Sequence, residues 1–344
     1  MKTACTISCV FTAILSFATT WVTAHDAPGN SHNASEEFPL IEESLLIDID
    51  HTDGLVVAVG DRGHVLWTKD YRTWHQAEVP VTSTLTAIDM VNRKLGWAVG
   101  HDAAILATAD AGRTWQIQHY APENETPLLD VWFDDKNRGI AIGAYGLYLV
   151  TEDGGQHWQQ VEMQINEAVG PVDEQEQSEE LIELYDLHLN AITESPDGTL
   201  YIVAEAGKVY RSKDRGKTWD ELPSPYIGSL FGVLALENNI VLVYGLRGHL
   251  YRSDDAGKSW QRINSHTGNT ITNGVRLHNN NIILTGMGGT LLMSYDSGHN
   301  FKLVMTRERN SFAAAVETDD EQLITVGNKG IRNLSLQNLE LIDE

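Results

Sequence analysis

Cysteine is almost missing from this 344-residue chain: there are two, Cys5 and Cys9, both at the very start. A disulfide framework or a thiolate metal site in the body of the protein is thereby excluded. Basic residues are scarce as well, with 24 Lys and Arg against 48 Asp and Glu and a formal net charge of −24. That balance argues against a general binder of nucleic acid or of anionic membrane, because each needs a basic face. Long apolar runs are confined to Ile7–Val22; no other segment approaches the ~20 apolar residues that span a bilayer. The chain also lacks a phosphate-cradling P-loop, a His-x-His pair and a His-Glu-x-x-His motif, so no cofactor and no metal are expected.

What is present begins with Lys2, the apolar stretch, and Val22-Thr23-Ala24 before His25. This is the layout of a secretory signal peptide over residues 1–24, with cleavage expected after Ala24. It implies an exported protein, periplasmic or secreted, with no direct membrane insertion once the signal is removed. Residues 25–43 are polar and acidic without helical or strand period and read as an exposed linker.

From residue 44 to 344 a unit repeats. Its clearest part is a short apolar strand ending in a small residue, as in Leu55–Gly60, Leu95–Gly100, Gly139–Gly143, Leu200–Ala204, Ile240–Gly245, Ile282–Gly286 and Leu323–Gly327. The last residues of these strands are 40, 43, 61, 41, 41 and 41 positions apart. Four short strands per ~40 to 50 residues is the period of a propeller blade. Six intervals therefore define an all-β, seven-bladed β-propeller of four-stranded antiparallel blades, with one insertion. That insertion, at about 162–187, is acidic and carries neither Lys nor Arg from Glu162 to Glu183; Ser178–Leu187 within it reads as a short helix. The seventh unit ends in Leu334–Ile342, and ring closure is expected to join this tail to residues near Phe38–Ile49.

A second motif follows the third strand of the units. Thr108–Trp115 (TADAGRTW) recurs as TEDGGQHW, SKDRGKTW and SDDAGKSW, more weakly as SYDSGHNF, and in shortened form as TKDYRTW at Thr68–Trp74. Ser, Thr and Asp oxygens bond nearby backbone N–H groups, Gly supplies a backbone angle that other residues resist, and the aromatic covers the turn. The pattern resembles the Asp-box, or BNR repeat, of several β-propeller families. Its residues are Asp70; Asp110, Gly112 and Trp115; Asp153, Gly155 and Trp158; Asp214, Gly216 and Trp219; Asp255, Gly257 and Trp260; and Asp296, Gly298 and Phe301. A structural role as turn builders is expected of them.

The turns between second and third strands lie on the opposite rim, and there the charges differ from blade to blade. Arg62, Arg247 and Lys329 stand in these turns, with Arg307 and Arg309 in the link into blade 7, whereas Asp102, Tyr145 and Glu205 mark blades 2 to 4. One arc is basic and the other acidic, which suits docking of a protein partner.

Seven units, the export signal, strands ending Ala-Val-Gly and the G-x-x-G turns running into the Asp-box together resemble the photosystem II assembly and stability factor family of Asp-box propellers, over about Ser44–Glu344. The resemblance implies a non-enzymatic scaffold that holds membrane-protein intermediates through an arginine-rich patch, here matched by Arg62, Arg247, Arg307, Arg309 and Lys329; a monomer is expected. An inner-membrane complex or transporter is the first candidate for the partner. Asp-box propellers also include sialidases and other glycoside hydrolases, which need three converging arginines, a Tyr nucleophile activated by Glu, and an Asp acid/base. Only Arg62 and Arg247 occupy comparable turns, and the early Arg-Ile-Pro or Arg-Leu-Pro signature is absent. The non-enzymatic reading is preferred.

Overall fold

The computed structural model describes residues 34–166, 187–305 and 308–335. The signal segment, most of the linker, the central part of the acidic insertion with its expected helix, and the tail beyond Ser335 lie outside them. The described chain forms seven antiparallel sheets in sequence order. Blade 1 shows the plan: Leu46–Thr52, Leu55–Gly60, Val65–Thr68 and His75–Gln76 pair in turn, each with its neighbour.

The first strand of each blade faces the axis. These strands contact one another around the ring, and that of blade 7 (Phe312–Glu317) meets that of blade 1 (Leu46–Thr52). Every second strand is buried along its whole length, which explains why these strands read as continuous apolar runs rather than alternating ones. Seven apolar clusters fill the seven gaps between neighbouring blades. Between blades 2 and 3, for example, Trp97 stacks on Phe133 with ring planes 8° apart. The core is thus a ring of packed interfaces, each built from one blade pair.

The first strand of each blade carries a bulge near its start, as between Leu85 and Ala87 or Leu230 and Gly232. There the end of the second strand comes close to the chain entering the first. A Cβ on Gly100 would meet the Thr84 carbonyl. Room, not backbone angle, accounts for this glycine, since its φ of −177° is extended.

Carboxylates lace the first strands together. Asp48 accepts a hydrogen bond from Ile88 N–H at 3.0 Å and Asp50 from Met90 N–H at 2.7 Å, joining blade 1 to blade 2. Asp89 accepts from Phe133 N–H at 2.6 Å, and Asp130 from Ile192 N–H at 2.8 Å. Burial drives the Asp130 carboxyl up to about 7 despite its two backbone donors, Ile192 and Val131.

Each Asp turn closes the outer hairpin of its blade. Asp110 accepts from Arg113 N–H, Thr114 N–H and the Thr114 hydroxyl at 3.1, 3.0 and 2.8 Å, while Gly112 N–H donates to Thr108 Oγ1 at 3.1 Å. The Trp115 indole N–H caps the turn on Gly112 O at 3.1 Å. Blade 1 keeps the Asp70 contacts although it lacks the glycine, with Tyr71 in the left-handed region at φ 60°.

Two departures from the plan were not legible in the sequence. Ile165–Asn166, at the start of the insertion, adds a parallel fifth strand to the outer edge of blade 4 against Trp219–Leu222. Blade 7 has three strands among the described residues, ending at Arg332–Leu334. The ring is joined there by Ile331 N–H donating to Glu42 O at 2.9 Å, with Ile41 and Ile331 buried in the same cluster. Of the tail Leu334–Ile342 expected to meet Phe38–Ile49, only Leu334 and Ser335 lie among the described residues.

Candidate partner-docking rim

All second strands run in the same direction, so the turns that follow them gather at one end of the ring. In blades 1 to 6 each turn is a single 3-10 turn closed by an N–H to C=O bond, such as His64 N–H to Asp61 O at 3.0 Å and His249 N–H to Leu246 O at 3.2 Å. The middle residue is left-handed in every one: Arg62, Asp102, Tyr145, Ala206, Arg247 and Gly288 have φ between 54° and 64°. Five of these are not glycine, although a left-handed residue other than glycine is disfavoured.

Arg62, Arg247, Arg309 and Lys329 are all exposed. They bring blades 5, 7 and 1 together as a basic arc, with Arg309 in the link into blade 7; Arg307 lies outside the described residues. The Arg62 guanidinium stands over the Phe38 ring, 5.9 Å from its centre, and 3.9 Å from Asp61. Among the described residues Arg247 has no ion pair.

Two of the acidic candidates are engaged by their own fold. Asp102 accepts the Ser83 hydroxyl at 2.5 Å, and its backbone carbonyl receives Ala121 N–H at 2.9 Å. Glu205 accepts His188 N–H at 3.2 Å and lies 3.8 Å from His188 Nδ1. Tyr145 stays open: it is 61% exposed and rests edge-on against His188.

The structure adds an apolar arc to the same rim. Leu246 and Met287 are the first residues of the turns in blades 5 and 6, and Ile227 and Phe231 sit where the chain enters blade 5; all four are exposed, Ile227 by 85%. Leu246 N–H donates to Ser229 O, and Met287 N–H to Thr270 O, so each turn is pinned to the entering chain. No periodicity marks these four residues, because each stands singly in a turn or link. Only the shared position in the fold groups them. Scattered apolar residues on a surface are ordinary; these four share one end of the ring with Arg247.

The central channel opens between the first strands as a cavity of about 400 Å³ lined by Asp48, Asp130, Phe231 and Tyr244. The Asp-turn residues stand at the other end of the blades, where Asp153 and Asp255 are held down to about 2. His157 is the main partner of the first and Ser259 of the second.

The family model described as photosynthesis system II assembly factor YCF48 matches residues 66–171 and 120–278, which overlap and together cover more than half of the chain. The photosystem II assembly protein Ycf48 of Thermosynechococcus vestitus (strain NIES-2133 / IAM M-273 / BP-1) is 25% identical over 159 residues, 46% of this chain and 41% of that protein. The match therefore spans less than half of that relative. Among solved structures, YCF48 bound to D1 peptide has a TM-score of 0.66 at 18% identity, covering 92% of this chain and 99% of that one. YCF48 from Cyanidioschyzon merolae has 0.65 at 15% identity over 89% and 99%. The WD40 β-propeller domain of Doa1 has 0.64 at 10% identity over 86% and 94%. At these identities the structural likeness carries the fold alone.

Proposed function

Because this chain belongs to the photosystem II assembly factor Ycf48 family, we propose that it is an exported, non-enzymatic propeller scaffold that binds a protein partner on the rim carrying Arg62 and Arg247. It assists assembly or stability of a membrane-associated complex, with an inner-membrane complex or transporter as first candidate. The observation that carries this reading is the rim itself, which bears exposed cations at Arg62, Arg247, Arg309 and Lys329 and exposed apolar side chains at Ile227, Leu246 and Met287. Cations steer an acidic partner and set its orientation, while the apolar side chains supply contact area that water leaves on docking. The engagement of Asp102 and Glu205 within the turns favours binding over hydrolysis, since both carboxylates already serve the fold.

Crosslinked pull-down from native membranes tests this. The combined variant Arg62→Glu, Arg247→Glu and Lys329→Glu is expected to lose most of the captured partner while keeping its fold. Capture at the wild-type level by that variant contradicts the proposal.

A further inference from the structure

At five junctions, from blades 1–2 to blades 5–6, one residue of the link into the next blade is fixed against the turn of the blade before. The Val81, Tyr226 and Thr267 carbonyls lie against Gly63, Gly207 and Gly248, and those of Thr126 and Leu187 accept Ala103 N–H and Gly146 N–H at 3.0 and 2.8 Å. Val81, Thr126, Leu187, Tyr226 and Thr267 are therefore equivalent positions. Their side chains differ greatly. Val81 and Leu187 are buried, and so fill their junctions.

At the junction of blades 4 and 5 the filling is aromatic. Tyr226 stacks on His249 with ring centres 4.3 Å apart and planes 17° apart, and lies 5.4 Å from Tyr251, while its hydroxyl donates to Ser229 O at 2.6 Å. At the junction of blades 5 and 6 Thr267 is small, but Asn269 reaches Thr290, the counterpart of His249, at 3.0 Å.

At the junction of blades 2 and 3 no aromatic side chain stands at the positions of Tyr226, His249 and Tyr251. Thr126 occupies the position of Tyr226, and Leu147 and Leu149 those of His249 and Tyr251. A cavity of about 430 Å³ opens there, with Leu147 and Leu149 as part of its lining and Trp158 beside them. His119, Asn124, Tyr145 and Gln160 also line it, and their side chains have no hydrogen-bond partner among the described residues. Burial holds the His119 imidazole below its usual range against the pull of Glu123, so it is neutral near pH 7 and offers one donor and one acceptor. No cation lines the cavity.

We propose that this cleft is a socket for a tyrosine side chain carried by the partner protein, seated as Tyr226 is seated between blades 4 and 5. An apolar floor takes the ring, and uncharged donors and acceptors at the mouth take the hydroxyl and the adjoining peptide groups. The chain's own Tyr226 is the internal template for that choice. The partner assignment rests on the scaffold reading above, but occupancy of the socket can be measured without any partner.

The probe is the capped hexapeptide Pro-Ser-Pro-Tyr-Ile-Gly, a copy of residues 223–228, titrated into the full chain and followed by amide, indole and imidazole NMR shifts. Saturable shifts at His119, Leu149 and the Trp158 indole are expected. The same peptide with Tyr226→Ala is expected to bind at least about tenfold more weakly, a difference of about 1.4 kcal/mol. Thr126→Tyr, which fills the cleft from within, is expected to abolish the shifts, and Tyr145→Ala, at an exposed position, to weaken them without unfolding the chain. Equal shifts from the two peptides, or shifts away from the 2–3 junction, overturn the proposal. If the peptide binds as described while the rim charge reversals leave partner capture intact, the scaffold reading fails and the socket stands; if capture depends on the rim but the peptide does not bind, only the socket fails.

Discussion

Tyr71 donates its hydroxyl to Asp319 Oδ2 at 2.8 Å across the seam where the last blade meets the first. His51 completes the contact, with Nε2 3.4 Å from the Tyr71 hydroxyl and 3.6 Å from Asp319 Oδ1, and Asn333 Nδ2 donates to Tyr71 O at 3.4 Å. The blade whose shortened Asp turn lacks the glycine thus uses Tyr71, the residue after Asp70, to fasten the ring. Proximity to Asp319 and burial hold the Tyr71 phenol up at about 12, burial being the larger cause, so it remains a donor throughout the physiological range.

Removing that hydroxyl tests the fastening. Tyr71→Phe keeps the ring and its left-handed backbone and is expected to lower unfolding free energy by about 1 kcal/mol, the net value of one hydrogen bond. Asp319→Ala should cost a similar amount. The double variant should cost less than the sum, as expected for two residues in direct contact. Urea unfolding of the four proteins measures this, and full additivity would show that the two side chains act independently.

The inner carboxylates set a pH dependence of definite sign. With its folded-state pKa at about 7 against 3.8 for the unperturbed group, Asp130 holds its proton more tightly in the folded state. Its contribution is fully present below about 4 and is lost as pH rises through about 7. Asp153 and Asp255, held at about 2, act oppositely: their contribution is present above about 4 and is lost as pH falls through 2. Urea midpoints are therefore expected to be higher near pH 5 than near pH 7.5, and to fall again below pH 4. Asp130→Asn should reduce the slope between pH 4 and 7, where Asp48, Asp50 and Asp89, also raised by burial, still contribute, and leave the acid limb in place.

The Asp turns are expected to matter for stability and not for binding. Asp110→Ala removes the acceptor for Arg113 N–H, Thr114 N–H, and the hydroxyls of Thr114 and Thr108. A loss of about 2 kcal/mol follows from stranding these donors in an otherwise intact turn, part of it recovered by water. Partner capture by the folded variant should equal that of wild type.

Much of the fold was legible because a propeller repeats its demands. Gly60, Gly100, Gly143, Gly245, Gly286 and Gly327 all stand where the second strand meets the chain entering the first, so their spacing counts the blades; Ala204 ends the second strand of blade 4. The Asp turns were legible for the same reason. The rim was legible only as charge. Arg62, Arg247 and Lys329 could be placed by counting from those glycines, but the engagement of Asp102 by Ser83 and of Glu205 by His188 joins residues whose pairing no period reveals. Asp48 and Asp130 resemble any polar residue on an alternating strand until the neighbouring blade supplies Ile88 and Ile192. The contrast between Thr126 and Tyr226 is of the same kind, since their equivalence rests on backbone contacts to the preceding blade.

The partner is expected to dock on the Arg62–Arg247 rim and not on the Asp-turn rim. Hydrogen-exchange protection of the chain with and without its captured partner measures this directly. Protection confined to the turns at Arg62, Tyr145, Arg247 and Met287 is the result this account predicts; protection at the turns of Asp110, Asp214 and Asp255, with the opposite rim unchanged, would contradict it.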